Sequence, residues 1–379
     1  MILAAFGLLL SEAAATTAEP AVALARVPNG GIQPEAAVSA NGDLHLIYFS
    51  GDPQAGDVFH VRRRRGDAAF STPVRVNSRP DSAVATGTVR GPHLALGPAG
   101  TLHAAWMGSS AAQPRGPRGE APMLYTRSTD HGRTFEPDRN LVTHAYGLDG
   151  GGTVAADGDG NVYVVWHGGA AAAGEDHRRV WLARSSNAGA AFDPEIAIGG
   201  AGTGVCACCG LAAAVGPAGQ LGVLHRGAWQ GDDRAMYLLA GPAADGRFTH
   251  TLLEPWQIGA CPMSTSAVTP AAGGLAVAWE TAGEVAWARV DDDARMTTGP
   301  MRPPQPGGHR KHPGVAMGPG GNLLFVWTEG MAWNRGGSLH WQAFDAAGRP
   351  TTVRGSVDGV PVWSRASVVA DAGGYTIFY

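Results

Sequence analysis

The chain has 379 residues, enough for one large domain or two ordinary ones, of which 44% are hydrophobic and 16% charged. A net charge of −4, with no charged block beyond Arg62–Arg65, argues against nucleic acid, and no stretch approaches the roughly 18 apolar residues of a membrane span. Gly and Pro, at 56 and 26 residues without a collagen period, indicate many tight turns joining short strands.

The N-terminus reads as an export leader. Ile2 to Leu10 is apolar and Ala13-Ala14-Ala15 offers a small-residue cleavage site, although no Lys or Arg stands near the start. A signal peptide over 1–18 and a single domain over 19–379 are expected, outside the cytoplasm, in a periplasmic or secreted location where cysteines can pair.

A repeat then runs through the chain: AAVSANGDLHLIYFSG (36–51), LALGPAGTLHAAWMG (94–108), TVAADGDGNVYVVWHG (153–168), AAAVGPAGQLGVLHRG (212–227), SAVTPAAGGLAVAWETAG (266–283), GVAMGPGGNLLFVWTEG (314–330) and SVVADAGGYTIFY (367–379). Each reads as a strand, a Gly-rich turn and a second strand with alternating apolar residues. Six positions after the turn glycine stand Tyr48, Trp106, Trp166, His225, Trp279, Trp327 and Tyr379, a register that suits packing between blades. Copies 48 to 60 residues apart match the four-stranded blade of a β-propeller. Seven hairpins give seven blades, with Ala21–Pro28 supplying an outer strand to a three-stranded last blade.

Second strand pairs fill the gaps between copies. Ser128-Thr129-Asp130-His131-Gly132-Arg133-Thr134-Phe135 fits S-x-D-x-G-x-x-W/F, and Ser185-Ser186-Asn187-Ala188-Gly189-Ala190-Ala191-Phe192 fits it with Asn for Asp. This pattern resembles the Asp-box (BNR repeat) of the sialidase superfamily, which implies an all-β propeller. Sialidases have six blades, so the family pattern leaves six open beside seven. The resemblance gives Ser128, Asp130, Gly132, Phe135, Ser185, Asn187, Gly189 and Phe192 a structural role, away from the active face. The set CACC, CPM, KHP and WTEG is similar to that of bacterial sialidase-like exported proteins and brings no activity with it.

In a propeller, the residues just before each inner strand converge on the mouth of the central funnel. Ten positions before the turn glycine these are Ile32, Arg90, Gly150, Cys209, Met263, Lys311 and Trp363, with Cys208, Cys261, His312 and Arg365 beside them. Met107, His167, Arg226, Glu280 and Glu329, at the ends of the second strands, form a further ring.

Three chemistries are open to this rim. A sialidase-type glycoside hydrolase needs an arginine triad for a carboxylate; Arg90, Arg226 and Arg365 are candidates, and Glu280 and Glu329 are a candidate acid/base pair. The family's first arginine is missing, however: Gly31-Ile32-Gln33-Pro34 keeps only the proline, and no Tyr–Glu nucleophile pair is identifiable. A soft-metal site, with copper as the candidate cofactor, could draw on Cys206, Cys208, Cys209, Cys261 and Met263, with imidazole from His309 or His312. Two disulfides are the structural alternative in an exported protein; four cysteines allow three pairings, of which Cys208–Cys209 with Cys206–Cys261 is the neatest. Lys311 and His312, with Arg90 and Arg365, are expected to bias the mouth towards an anionic or polyhydroxyl ligand. The expectation is a monomer that binds a small molecule or glycan, and a non-sialidase function ranks ahead of hydrolysis.

Overall fold

The seven repeated segments fold as hairpins because apolar residues alternate on both sides of a turn that needs a left-handed residue. Gly42, Gly100, Gly160, Gly219, Gly273 and Gly321 supply it with φ between +74° and +85°, and in the last copy Gly374 (φ +135°) takes over from Gly373. The computed structural model describes residues 20–379 apart from 171, 245, 306 and 372, so the expected leader over 1–18 lies outside the described residues.

Two more antiparallel strands follow each of the first six hairpins. Blades 1 to 6 (32–75, 93–140, 152–199, 212–254, 267–301 and 310–360) are therefore four-stranded meanders. Blade 7 holds only Ser367–Asp371 and Gly374–Phe378 from the C-terminal end of the chain. Ala21–Ala25 completes it, running parallel to the latter strand with Ala21 opposite Gly374 and Ala25 opposite Phe378. The Val27 amide donates to the Tyr379 carbonyl (3.2 Å), the Tyr379 amide to that of Ala25 (3.1 Å), and Arg26 lies 4.0 Å over the Tyr379 ring. The first strands touch in an unbroken cycle from blade 1 to blade 7 and back. The fold is a seven-bladed β-propeller, closed by the expected N-terminal strand; the six-bladed alternative is excluded. No helix among the described residues is long and apolar enough to cross a membrane.

The core lies between blades rather than at the axis. Seven apolar clusters each straddle one pair of neighbours, and the register residues fill them: Tyr48, Trp106, Trp166 and Trp279 are fully buried, Trp327 and Tyr379 nearly so. Burying an indole removes enough apolar surface to contribute about 5 kcal/mol at most. His225 keeps the register by stacking on Tyr237 and His250, its Nε2 3.3 Å from that of His250.

The two Asp-box-like segments join third to fourth strands on the face opposite the mouth. Asp130 Oδ1 accepts the Arg133 and Thr134 amides (3.0 Å each), Ser128 Oγ accepts the Gly132 amide (2.8 Å), and Gly132 sits at φ +81°. Asn187 and Ser185 repeat the pattern, accepting the Ala191 and Gly189 amides at 2.9 Å. Phe135 then meets His60 edge-on and Phe192 meets Tyr125, so each turn is pinned to the preceding blade. The first strands leave a central channel of ≈ 460 Å³, in whose lining alanine is the commonest residue, as at Ala36, Ala95, Ala155, Ala213 and Ala316.

Candidate functional site

The segments leading into the blades meet around the mouth of this channel, as the register implies. Gln33 donates to the Trp363 carbonyl (2.8 Å) and accepts the Gly91 amide (2.6 Å), joining blades 7, 1 and 2. Arg90 reaches the Asp149 carbonyl (2.6 Å), His167 the Cys209 carbonyl (3.1 Å), the Gly210 amide the Ser264 carbonyl (3.0 Å), and Lys311 the Pro262 carbonyl (2.6 Å). Cys209 and Met263 thus occupy matching places on adjoining blades. Gln33, Met263, His312 and Trp363 are held at φ +51° to +57°, a left-handed backbone that costs non-glycine residues and persists only where neighbours fix it.

Each candidate arginine has its own carboxylate. Arg90 pairs with Asp149 (2.5 Å), Arg365 with Glu35 (2.5 Å), and Arg226 with Glu280 (3.4 Å), the last pair only 3% and 1% exposed. Arg226 also donates to the carbonyls of Arg234 (2.7 Å) and Glu280. Burial raises the Glu280 carboxyl above its ordinary range, with Arg226 opposing. Glu329 pairs instead with Arg310 (2.9 Å) and accepts the Trp327 indole N–H (2.9 Å). Burial works to raise Glu329 as well, but those hydrogen bonds outweigh it and hold the carboxyl low. The expected arginine triad and Glu280–Glu329 pair therefore resolve into separate ion pairs.

The cationic HRKHP loop is likewise turned inward. Arg310 bridges Glu284 and Glu329, Lys311 is held by a carbonyl, and His309 stays exposed. His312 is buried, its Nδ1 3.4 Å from Thr265 Oγ1, and burial pushes its pKa down to about 3. At the mouth Arg90, Arg226, Arg310 and Arg365 are neutralised in pairs, and Lys311 keeps its charge against a carbonyl.

The CACC loop is held by five hydrogen bonds to four residues. The Val205 amide donates to the Glu175 carbonyl (3.2 Å), that of Cys206 to the Arg226 carbonyl (3.0 Å), and that of Ala207 to Glu175 Oε1 (2.8 Å). Arg178 donates to His167 Nδ1 (3.1 Å), which fixes the tautomer whose Nε2–H holds the Cys209 carbonyl. The Gly210 bond to Ser264 closes the set. Within this frame Cys206 Sγ lies 3.5 Å from Cys208 Sγ and 3.6 Å from Cys209 Sγ. S–H donation from Cys206 and Cys208 draws the Cys209 thiol well below its ordinary range; burial opposes this and Arg226 adds to it.

All four cysteines are free thiols, which corrects the expected Cys208–Cys209 and Cys206–Cys261 bridges. Cys206 Sγ stands 3.5 and 3.6 Å from its two loop neighbours, beyond the roughly 2 Å of a disulfide bond, and Cys261 is exposed. His312 also stands outside the group of three sulfurs.

Sequence reasoning missed Glu175, Arg178 and Ser264, which lie in connections with no motif of their own, and gave Gln33, in the first strand of blade 1, no role. It also missed two loop tryptophans, Trp229 and Trp256. Trp229, Trp256 and Trp363 are half-buried and Trp333 is 46% exposed, all in connections on the mouth face. Trp333 and Trp363 meet edge to face at 6.0 Å, and Arg226 lies 5.1 Å from the Trp256 ring.

This geometry is that of a sialidase-like β-propeller. No known protein family matches the sequence, and no curated protein does. Among solved structures, the Penicillium chrysogenum α-L-arabinanase complexed with arabinobiose is similar at a TM-score of 0.53 and 14% identity, over 85% of this chain and 95% of that one. The Hadza microbial sialidase Hz136 is similar at 0.50 and 15% identity, over 88% and 69%. The leech intramolecular trans-sialidase is similar at 0.50 and 9% identity, over 92% and 86%. At these identities the likeness is one of fold.

Proposed function

We propose that this propeller works by binding rather than by glycoside hydrolysis, with a polyhydroxyl ligand of the glycan class taken at the mouth of the funnel. The observation that carries the reading is the pairing of the candidate arginines and glutamates: Arg90, Arg226 and Arg365 are each matched by a carboxylate, and Glu280 and Glu329 each by an arginine. A substrate carboxylate would have to displace an internal partner, and neither glutamate is poised to trade a proton with the other. The loop tryptophans supply what binding needs instead, since an exposed indole offers a flat apolar face to the C–H side of a sugar ring and a polar edge to its hydroxyls. Solved relatives of this fold include an arabinanase complexed with arabinobiose, which agrees with a sugar-sized funnel.

The test combines turnover and binding. With fluorogenic sialoside and arabinofuranoside substrates no hydrolysis is expected. A panel of oligosaccharides should perturb tryptophan fluorescence, and Trp333→Ala should remove the response. Turnover abolished by Arg90→Ala or Glu280→Gln would make the chain a hydrolase. A wild-type protein silent to the whole panel would end the glycan reading.

A further inference from the structure

We infer that Cys206, Cys208 and Cys209 form a three-coordinate site for a soft monovalent metal ion, Cu(I), at the rim of the funnel. Their sulfurs all lie within 4.8 Å of one another. An ion with sulfur bonds of about 2.3 Å, at the centre of a triangle, needs sulfurs about 4 Å apart. The observed 3.5 and 3.6 Å ask for only a small expansion.

The donor set selects the ion. Three thiolates are soft ligands, matched to Cu(I) rather than to Mg, Ca or Mn. A closed zinc site needs a fourth protein ligand, and the described residues bring none to this group. Both nitrogens of His167 are engaged, one by Arg178 and one by the Cys209 carbonyl. Cys261 is exposed and apart. Cu(I) has a filled d shell and accepts three ligands without a fourth.

The surroundings suit a negatively charged metal–thiolate unit. Arg226 acts electrostatically on Cys209 and Arg178 on Cys206, and both charges favour thiolates. Cys206 and Cys209 are 1% and 3% exposed, whereas Cys208 is half-buried and gives the ion a way in from the mouth. The anchors from Glu175, Arg226, His167 and Ser264 hold the loop before any ion arrives, which lowers the ordering cost of binding. Each thiol that binds releases its proton to solvent, and the metal enters and stays as Cu(I), with no change of oxidation state.

The experiment uses the full chain, reduced and anaerobic, titrated with Cu(I) against a chromophoric Cu(I) chelator. One ion per chain is expected, with three sulfur scatterers in X-ray absorption. Cys208→Ser should weaken binding by more than the roughly 10–100-fold typical of losing an outer-shell partner, and Cys261→Ser should leave it unchanged. Alkylation with mass spectrometry tests the wild type without any variant: bound Cu(I) should shield Cys206, Cys208 and Cys209 while Cys261 stays reactive. Failure to retain Cu(I), preference for Zn(II) in competition, equal loss with Cys261→Ser, or equal alkylation of all four thiols would overturn the site.

Discussion

The Arg226–Glu280 pair separates a structural from a catalytic account of the mouth. Both side chains are almost wholly buried, and Arg226 satisfies Glu280 together with two backbone carbonyls. Removing one member of such a pair leaves the other's charge stranded, at a cost of about 3–5 kcal/mol. Spread over the unfolding entropy of a chain this size, that lowers Tm by about 4–7 °C. Arg226→Met should be the more damaging change, because Glu280 then keeps only the Gly283 amide (2.7 Å). Its loss should also depend on pH. Burial already raises the Glu280 carboxyl, and without Arg226 its folded pKa climbs further above the unfolded value. The destabilisation relative to the parent is then small well below the unfolded pKa and grows as pH rises. Glu280→Gln should sit at the lower end of the range, and the double variant should recover part of the loss. Thermal unfolding followed by circular dichroism at pH 5.5 and 8 reads all three. Single variants that melt within about 1 °C of the parent, or an Arg226→Met loss that shrinks as pH rises, would refute the reasoning.

Acid should unfold the protein early. Burial holds His45 and His93 at about 4, His60 and His225 at about 3 and His103 at about 4. Below pH 6.5 the unfolded chain takes protons that the folded one refuses, so stability falls as pH drops. Each histidine contributes about 1.4 kcal/mol per pH unit until its folded pKa is reached, which brings the loss by pH 5 to the order of 10 kcal/mol. A Tm that stays flat from pH 7.5 to 5.5 would contradict this. Asp130→Ala removes the acceptor that caps its turn and should cost about 1–2 kcal/mol, or about 1–3 °C in Tm. Copper and sugar binding should be untouched, since that turn lies on the far face; a change in either would place the turn in the site.

Much of the fold was legible because its stabilising units are local and repeated. The turn glycine and the aromatic six residues later recur because every blade must turn at the same place and pack against the next. His225 kept that register with a different ring, so the repeat survived a polar substitution. The outer strand at Ala21–Ala25 was legible for the same reason, as an extra strand without a hairpin of its own. The site was harder to read. Arg90, Arg226 and Arg365 look like a triad in sequence, but their partners Asp149, Glu280 and Glu35 lie in neighbouring blades or across the ring closure, where linear spacing carries no information.

The sequence by itself determined a ring of seven two-strand units and brought Cys209 beside the CPM segment, because periodic apolar residues leave a propeller few other ways to bury them. Only the tertiary structure decided what the rim groups do. Charge pairing and thiol contacts act over about 3–4 Å between segments of distant origin, so the register that set Met263 level with Cys209 did not reveal that Cys206 faces Cys208 and Cys209 while Cys261 stays in solvent.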